Sequence, residues 1–293
     1  MLLGATMSLS NELKRGPVFR RATPLLLVPG LLVVTCFFLV PIIVVAWRSI
    51  SDPEIGLSNY AWLAENEVFL QVLIRTFLVS SVVTAACVLI AYPYAYLMTI
   101  VGGTMQKLLL LFVLMPLWTS ILVRTLAWMV LLQDSGPIND VLEFVGIGRQ
   151  PLIRTTFGVG LGMLQVLLPF MVLPLYSAML GIDTRLVPAA RSLGAHPVTA
   201  FFKVYLPLSL PGVASGATTV FILGLGFYIV PALLGSPQTT MLSALIYQQF
   251  SAFLDWGHGS AMGIALLLLT AVLLGVLQLI TGSARRRAAR GKK

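Results

Sequence analysis

The 293-residue chain is 58% hydrophobic and only 10% charged, with a mean hydropathy of +0.96 and a formal net charge of +9. A soluble domain averages about 25% charged residues, so the composition excludes two water-soluble domains and indicates a bundle of about six membrane spans. Cys36 and Cys87 both lie inside apolar runs, which excludes a disulfide framework.

A basic tail, residues 1–23, carries Lys14, Arg15, Arg20 and Arg21 and leads into the first predicted span, Pro24–Trp47. No small-residue cleavage site follows that run, so it reads as a retained span and not a signal peptide. Further spans are predicted at Phe69–Met98, Leu108–Leu132, Phe157–Leu180, Leu206–Leu234 and Gly259–Ile280, making a permease domain over 24–281. A second basic tail, 282–293, ends the chain. Pro41, Pro93, Pro116, Pro169 and Pro174 fall inside spans, where neighbouring helices and hydroxyls can satisfy the freed backbone groups. Gly158, Gly160, Gly162, Gly212 and Gly216 are small residues suited to close helix packing.

Charge sets the predicted orientation. Lys107 and the cluster Arg185, Arg191 and Lys203 fall on the side of the two basic tails. Alternate connections hold Asp52, Glu54, Glu65, Glu67, Asp134, Asp140, Glu143 and Asp255; Arg149 and Arg154 weaken the bias without reversing it. Six spans with basic tails place both termini in the cytoplasm, and the basic connection 182–205 with them.

That connection reads PAARSLGAHPVTAFFKVYLPLSLPG over 188–212. Proline suits the first position of a helix and glycine the position just past its end. Pro188 and Gly194 bracket a short helix in that way. His196-Pro197 then turns the chain, and Pro197 opens a second short helix predicted to lie along the bilayer surface. On these grounds alone the stretch is either an ordinary connection or a docking element.

The stretch resembles the "EAA" loop of ABC importer membrane subunits: Glu-Ala-Ala, three residues, Gly, nine residues, Ile, one residue, Leu-Pro. Here Pro188-Ala189-Ala190, Gly194, Val204 and Leu206-Pro207 keep the spacing, with Pro188 in place of the glutamate and Val204 in place of isoleucine. The segments PLWTSILVRTLAWMVLLQDSGPIND (116–140), LLPFMVLPLYSAMLGID (167–183) and LGFYIVPALLGSPQTTMLSALIYQQF (225–250) resemble spermidine/putrescine-type permease subunits. The resemblance implies an all-α, six-helix type I importer permease in the bacterial inner membrane. It implies that Pro188, Ala189, Ala190, Arg191, Ser192, Leu193, Gly194 and Ala195 couple to a cytoplasmic ATPase dimer. Two further partners are implied, a second permease subunit of different sequence and an extracytoplasmic binding protein. The implied cargo is a small polar solute, polyamine-like in the first instance, with an opine, amino-acid-like or anionic solute as the alternative.

Arg124 lies eight residues inside the predicted end of its span, a depth of about 12 Å. A charge at mid-span costs about 2.5–3.5 kcal/mol on insertion scales, and no carboxylate in this chain lies deep enough to pair with it. It faces backbone carbonyls, water or a neighbouring subunit, or snorkels outward. Trp118, Trp128, Tyr94, Phe227 and Tyr228 are candidates for the path through cation–π contact, or else belt aromatics. A dicationic cargo would gain from acids along the path, whereas the spans supply Arg124.

No G-x-x-x-x-G-K-[ST] loop occurs, so ATP and magnesium are expected on the ATPase subunit, and no cofactor or enzymatic activity on this chain. No metal-ligand spacing is present, and His258 near Ser260 reads as a loop. The tail RRRAARGKK directly follows a span and reads as a contact with anionic lipid, not nucleic acid. An ion-coupled carrier would need carboxylates at membrane depth, and an intramembrane enzyme would need an activated nucleophile or metal cluster; neither is found.

Overall fold

The structure, a computed structural model, describes the backbone of residues 17–290 and the side chains of residues 28–276. Residues 1–16 and 291–293, most of the first predicted tail and the end of the second, lie outside the described residues. Helical backbone extends into both predicted tails, from Pro17 at one end and to Arg290 at the other.

In chain order the helices are α1 (Pro17–Ser51), α2 (Ser58–Glu65), α3 (Glu67–Ile100), α4 (Gly103–Leu114) and α5 (Ile121–Leu131). They continue as α6 (Pro137–Phe144), α7 (Thr156–Leu180), α8 (Leu186–Ser192) and α9, which runs without a break over Pro197–Leu225. The last three are α10 (Ile229–Leu234), α11 (Leu242–Gln248) and α12 (Trp256–Arg290). Five described helices, α1, α3, α7, α9 and α12, are long and apolar enough to cross a membrane, and a bent pair containing α4 and α5 supplies a sixth crossing.

The predicted third span, Leu108–Leu132, is not one helix. A 3-10 turn, Met115–Trp118, ends its first half, Thr119 and Ser120 are extended, and α5 leaves at 97°. Pro116 cannot donate to the helical ladder, which ends the first half in this tighter turn. The predicted fifth span, Leu206–Leu234, also divides: its helix begins at Pro197, stops at Leu225, and restarts as α10. Pro231 sits two residues into α10, where its ring would clash with the carbonyl of residue 227 in a continuous helix. Ser243 Oγ donates to that Phe227 carbonyl at 2.6 Å.

α3, α7 and α9 form the centre of the bundle. Their facing stripes repeat every four residues: Val79, Val83, Cys87, Ala91 and Ala95 on α3 meet Met163, Leu167, Met171, Leu175 and Met179 on α7. Such i, i+4 ridges seat into the grooves of a neighbouring helix. On α9 the matching stripe is Gly212 and Gly216. A Cβ added at Gly212 would stand 2.5 Å from Ala178 Cβ, and one at Gly216 would stand 2.7 Å from Met171 Sδ. Gly162 is as crowded, 2.7 Å from Leu234 and Val230, whereas Gly160 has an ordinary 3.7 Å contact with Val83. Gly216→Leu is expected to destabilise the bundle by about 1–3 kcal/mol, the usual cost of overpacking a core. A thermal melt of the detergent-solubilised protein checks it, with a smaller loss expected for Gly160→Ala.

α1 packs against α12 on the flank and presents an otherwise exposed apolar surface, Phe37 and Phe38 included. α2, α3, α11 and α12 enclose a second, smaller core of Leu63, Phe69, Val72, Leu242, Ala261 and Met262. It lies at the end of the bundle opposite α8.

Candidate functional site

The bundle has three places with chemistry to offer: the α8 segment, the break between α4 and α5, and a cleft at the far end. α8 follows the turn after α7, where Arg185 N–H donates to Asp183 Oδ1 at 2.9 Å. It ends in a Schellman motif, with Ala195 N–H donating to the Ala190 carbonyl at 3.1 Å and Gly194 N–H to the Arg191 carbonyl at 2.9 Å. Gly194 supplies the left-handed residue this motif needs, at φ +90°. The helix starts at Leu186, so Pro188 is its third residue and not its first. Its missing N–H falls among the first-turn donors that have no helical partner anyway.

Pro188, Ala189, Arg191, Ser192 and Gly194 are exposed, Leu193 is 90% exposed, and nothing stands within 4 Å of a Cβ built on Gly194. Val187 packs into the main core, and Ala190 and Ala195 are half-buried. One side of α8 is therefore anchored while the other stands free. Its outer surface is a shallow hollow lined by Pro188, Arg191, Ser192, His196 and Pro197. The second short helix predicted from Pro197 to lie along the bilayer is instead the start of α9, joined to it through a π-helical turn at Phe201–Tyr205.

At the α4–α5 break, Arg124 turns back along the chain. Its Nη2 donates to the carbonyls of Pro116 and Thr119, the latter at 2.8 Å. The guanidinium replaces the helical donor that the Thr119 carbonyl loses at the interruption, while the Pro116 carbonyl also accepts from Thr119 N–H at 3.4 Å and Thr119 Oγ1 at 3.0 Å. Nε and Nη1 are buried without a partner among the described residues. Trp118 is 73% exposed at the same break. Trp128, two turns further along α5, donates from Nε1 to Gln165 Oε1 on α7 at 2.7 Å.

The far-end cleft encloses about 500 Å³ between α10, α11 and the start of α3. Tyr228 and Tyr247 stand at 4.8 Å between ring centroids, with Pro231, Thr240, Val72 and Gln248 around them. α10 packs against α5, so the short helix that follows α9 lies beside the second half of the broken span. The predicted path residues thus divide. Arg124 and Trp118 share one break, Phe227 and Tyr228 the other, and Tyr94 stands apart, donating to the Leu109 carbonyl at 2.6 Å while packed on the core. Sequence reading missed Tyr247, Gln165 and Gln248. Gln165, a lone amide inside a strongly apolar run, was the available signal for one of them.

At the far end Arg149 is locally paired. Arg149 donates to Glu143 at 2.8 Å, to Asp140 at 3.1 Å and to the Asp134 carbonyl at 3.0 Å. Its hydrogen bond and charge attraction with Glu143 raise its pKa; burial opposes them, and the charges of Asp140 and Asp134 add smaller raises. His258, beside Trp62 at 4.0 Å between ring centroids, pairs with Asp255 at 2.5 Å, while Ser260 Oγ is buried without a partner among the described residues. No His–Ser hydrogen bond forms among the described residues.

Burial raises the Asp255 pKa, but the side-chain and backbone hydrogen bonds from His258 and its charge outweigh burial and leave the carboxyl below its usual range. A depressed carboxylate contributes stability that is complete above its unfolded value of about 3.9 and is lost as pH falls through the lower folded value. Asp255→Asn should therefore abolish part of the acid-induced loss of stability in that window, read from melting midpoints taken below pH 5.

Apolar crossings, one of them a broken pair, with a capped helix standing free at one end, describe a multi-pass membrane protein. The chain belongs to the family of binding-protein-dependent transport system inner membrane components, which it matches over residues 92–288. It is 37% identical to the spermidine/putrescine transport system permease protein PotB of Haemophilus influenzae, over 76% of this chain and 78% of that protein. It is 31% identical to PotB of Escherichia coli K12, over 78% of this chain and 82% of that one. Among solved structures, a subunit of a bacterial alginate ABC transporter in complex with an alginate pentasaccharide-bound periplasmic protein superposes with a TM-score of 0.74. That match has 18% identity over 90% of this chain and 95% of that one. The protein is thus a multi-pass inner-membrane ABC importer permease with the all-α type I fold, in a system that works with a binding protein.

Proposed function

We propose that this chain forms one side of the translocation path for a polyamine-like organic amine, driven by a separate ATPase dimer that docks on Leu186–Ala195. The second permease is a different chain, ATP and magnesium are held by the ATPase, and both termini lie in the cytoplasm. The chain itself carries no catalytic activity. The single observation behind this reading is the geometry of α8: anchored through Val187, closed by Gly194, and free on its outer side with Leu193 90% exposed. A short helix so presented offers a rigid knob whose docking costs little ordering entropy.

The cargo assignment draws on the two relatives named for spermidine and putrescine transport. Arg124 keeps its positive charge while donating to Pro116 and Thr119, and so still counts against a cationic cargo. Tyr228 and Tyr247 offer ring faces to an ammonium group. Nε and Nη1 of Arg124, buried without a partner among the described residues, favour the second reading, an anionic or zwitterionic solute. Uptake by proteoliposomes holding the full assembly and its binding protein separates the two. ATP-dependent accumulation of labelled spermidine or putrescine is expected; uptake of an anionic or amino-acid-like solute with neither amine would overturn the polyamine assignment.

A further inference from the structure

α9 enters the bundle through one π-helical turn, Phe201–Tyr205, set between two α-helical stretches. Such turns are rare and occur often at functional sites. This one throws its rings onto α3. Tyr96 meets Phe201 edge-on at 5.5 Å and Tyr205 at 5.1 Å between centroids, and Phe201 stacks on Tyr205 at 5.6 Å. The hydroxyls of Tyr92 and Ser209 lie 2.9 Å apart, a further tie between α3 and α9. α8 itself packs on the π-helical turn.

α3 is tied at its other end as well. The N–H of Leu242 donates to Thr76 Oγ1 at 2.8 Å, and Arg75 donates to the Thr240 carbonyl at 3.3 Å, both beside the cleft that Val72 helps to line. Its 34 residues cover about 50 Å, enough to join the α8 end to the cleft. Pro93 leaves α3 one backbone hydrogen bond short next to Tyr92 and Tyr96. The rings therefore bridge the place where α3 bends most easily.

We propose that Tyr96 and Phe201 are positioning residues for transport, bolting the α8 segment to α3 so that its displacement reaches the Tyr228–Tyr247 cleft through α3 and not along α9 alone. This rests on α8 being the ATPase-docking segment. A coupling element needs evidence beyond lying between two sites, and the ratio of ATP hydrolysed to cargo imported supplies it.

The test uses the full assembly with its binding protein in proteoliposomes. Tyr96→Leu and Phe201→Leu are expected to raise that ratio by about fivefold or more, the lower range of ordinary coupling effects, with the ATPase still bound. Tyr96→Phe keeps the ring and is expected to keep the wild-type ratio. Wild-type ratios in both leucine variants would overturn the proposal. So would loss of ATPase binding in both, since the rings would then belong to the docking surface. An ATPase that never associates with the wild-type chain would instead overturn the docking reading itself.

Discussion

Leu193→Asp is expected to leave the permease folded and to abolish ATP-driven uptake. The side chain is 90% exposed and makes no core contact, so the change should shift stability by no more than about 0.5 kcal/mol. In the assembled importer the same position would be covered by the ATPase. A carboxylate buried there without a partner costs about 2 kcal/mol or more, the scale of an interface hot spot, or about 30-fold in affinity. Gly194→Ala is a weaker probe, because a Cβ at φ +90° strains the cap before any partner is met. Melting midpoint and uptake, measured on the same preparation of Leu193→Asp, give the result: an unchanged midpoint with uptake lost.

Arg124→Met is expected to do the reverse, weakening the fold and uptake together. The substitution removes the donor to the Thr119 carbonyl, while the Pro116 carbonyl keeps the Thr119 N–H at 3.4 Å and Thr119 Oγ1 at 3.0 Å. A carbonyl left without a donor away from water costs about 1–3 kcal/mol. Removing the charge also removes its cost in the bilayer, about 2.5–3.5 kcal/mol at mid-span. That cost, however, is borne by an unpacked helix in the membrane as much as by a packed one, so it largely cancels in unfolding and the Thr119 carbonyl decides the sign. Arg124→Lys should recover part of the loss, since an ammonium can still donate but lacks the fixed planar geometry of the guanidinium. A lowered melting midpoint in Arg124→Met, with Arg124→Lys in between, is the expected order.

The long spans were legible because hydropathy over about 20 residues is a strong signal. The short helix before Gly194 was legible for a different reason, since a glycine past a helix end answers to a specific backbone requirement. The helix start was misplaced by two residues, because Pro188 is tolerated anywhere in the first turn and marks it only loosely. Both interruptions were missed. Leu108–Leu132 and Leu206–Leu234 remain apolar across their breaks, and hydropathy does not register a change of direction. Pro116 and Pro231 were visible, but Pro93, Pro169, Pro174 and Pro211 lie inside helices that continue. Proline therefore did not separate a kink from a break. Arg124 was singled out by its charge, and backbone carbonyls were among its expected partners. The Tyr228–Tyr247 pairing depends on α10 and α11 folding back on each other, a long-range fact that no local pattern carries.

The most direct measurement is site-specific photo-crosslinking from two positions at opposite ends of the bundle. A benzophenone side chain at Leu193, 90% exposed on the α8 segment, is compared in native membranes with one at Phe144, 92% exposed on α6 at the far end. The account predicts an adduct with the cytoplasmic ATPase from position 193 and none from position 144. ATPase captured from position 144, or no ATPase adduct from position 193 in membranes that import cargo, would contradict it.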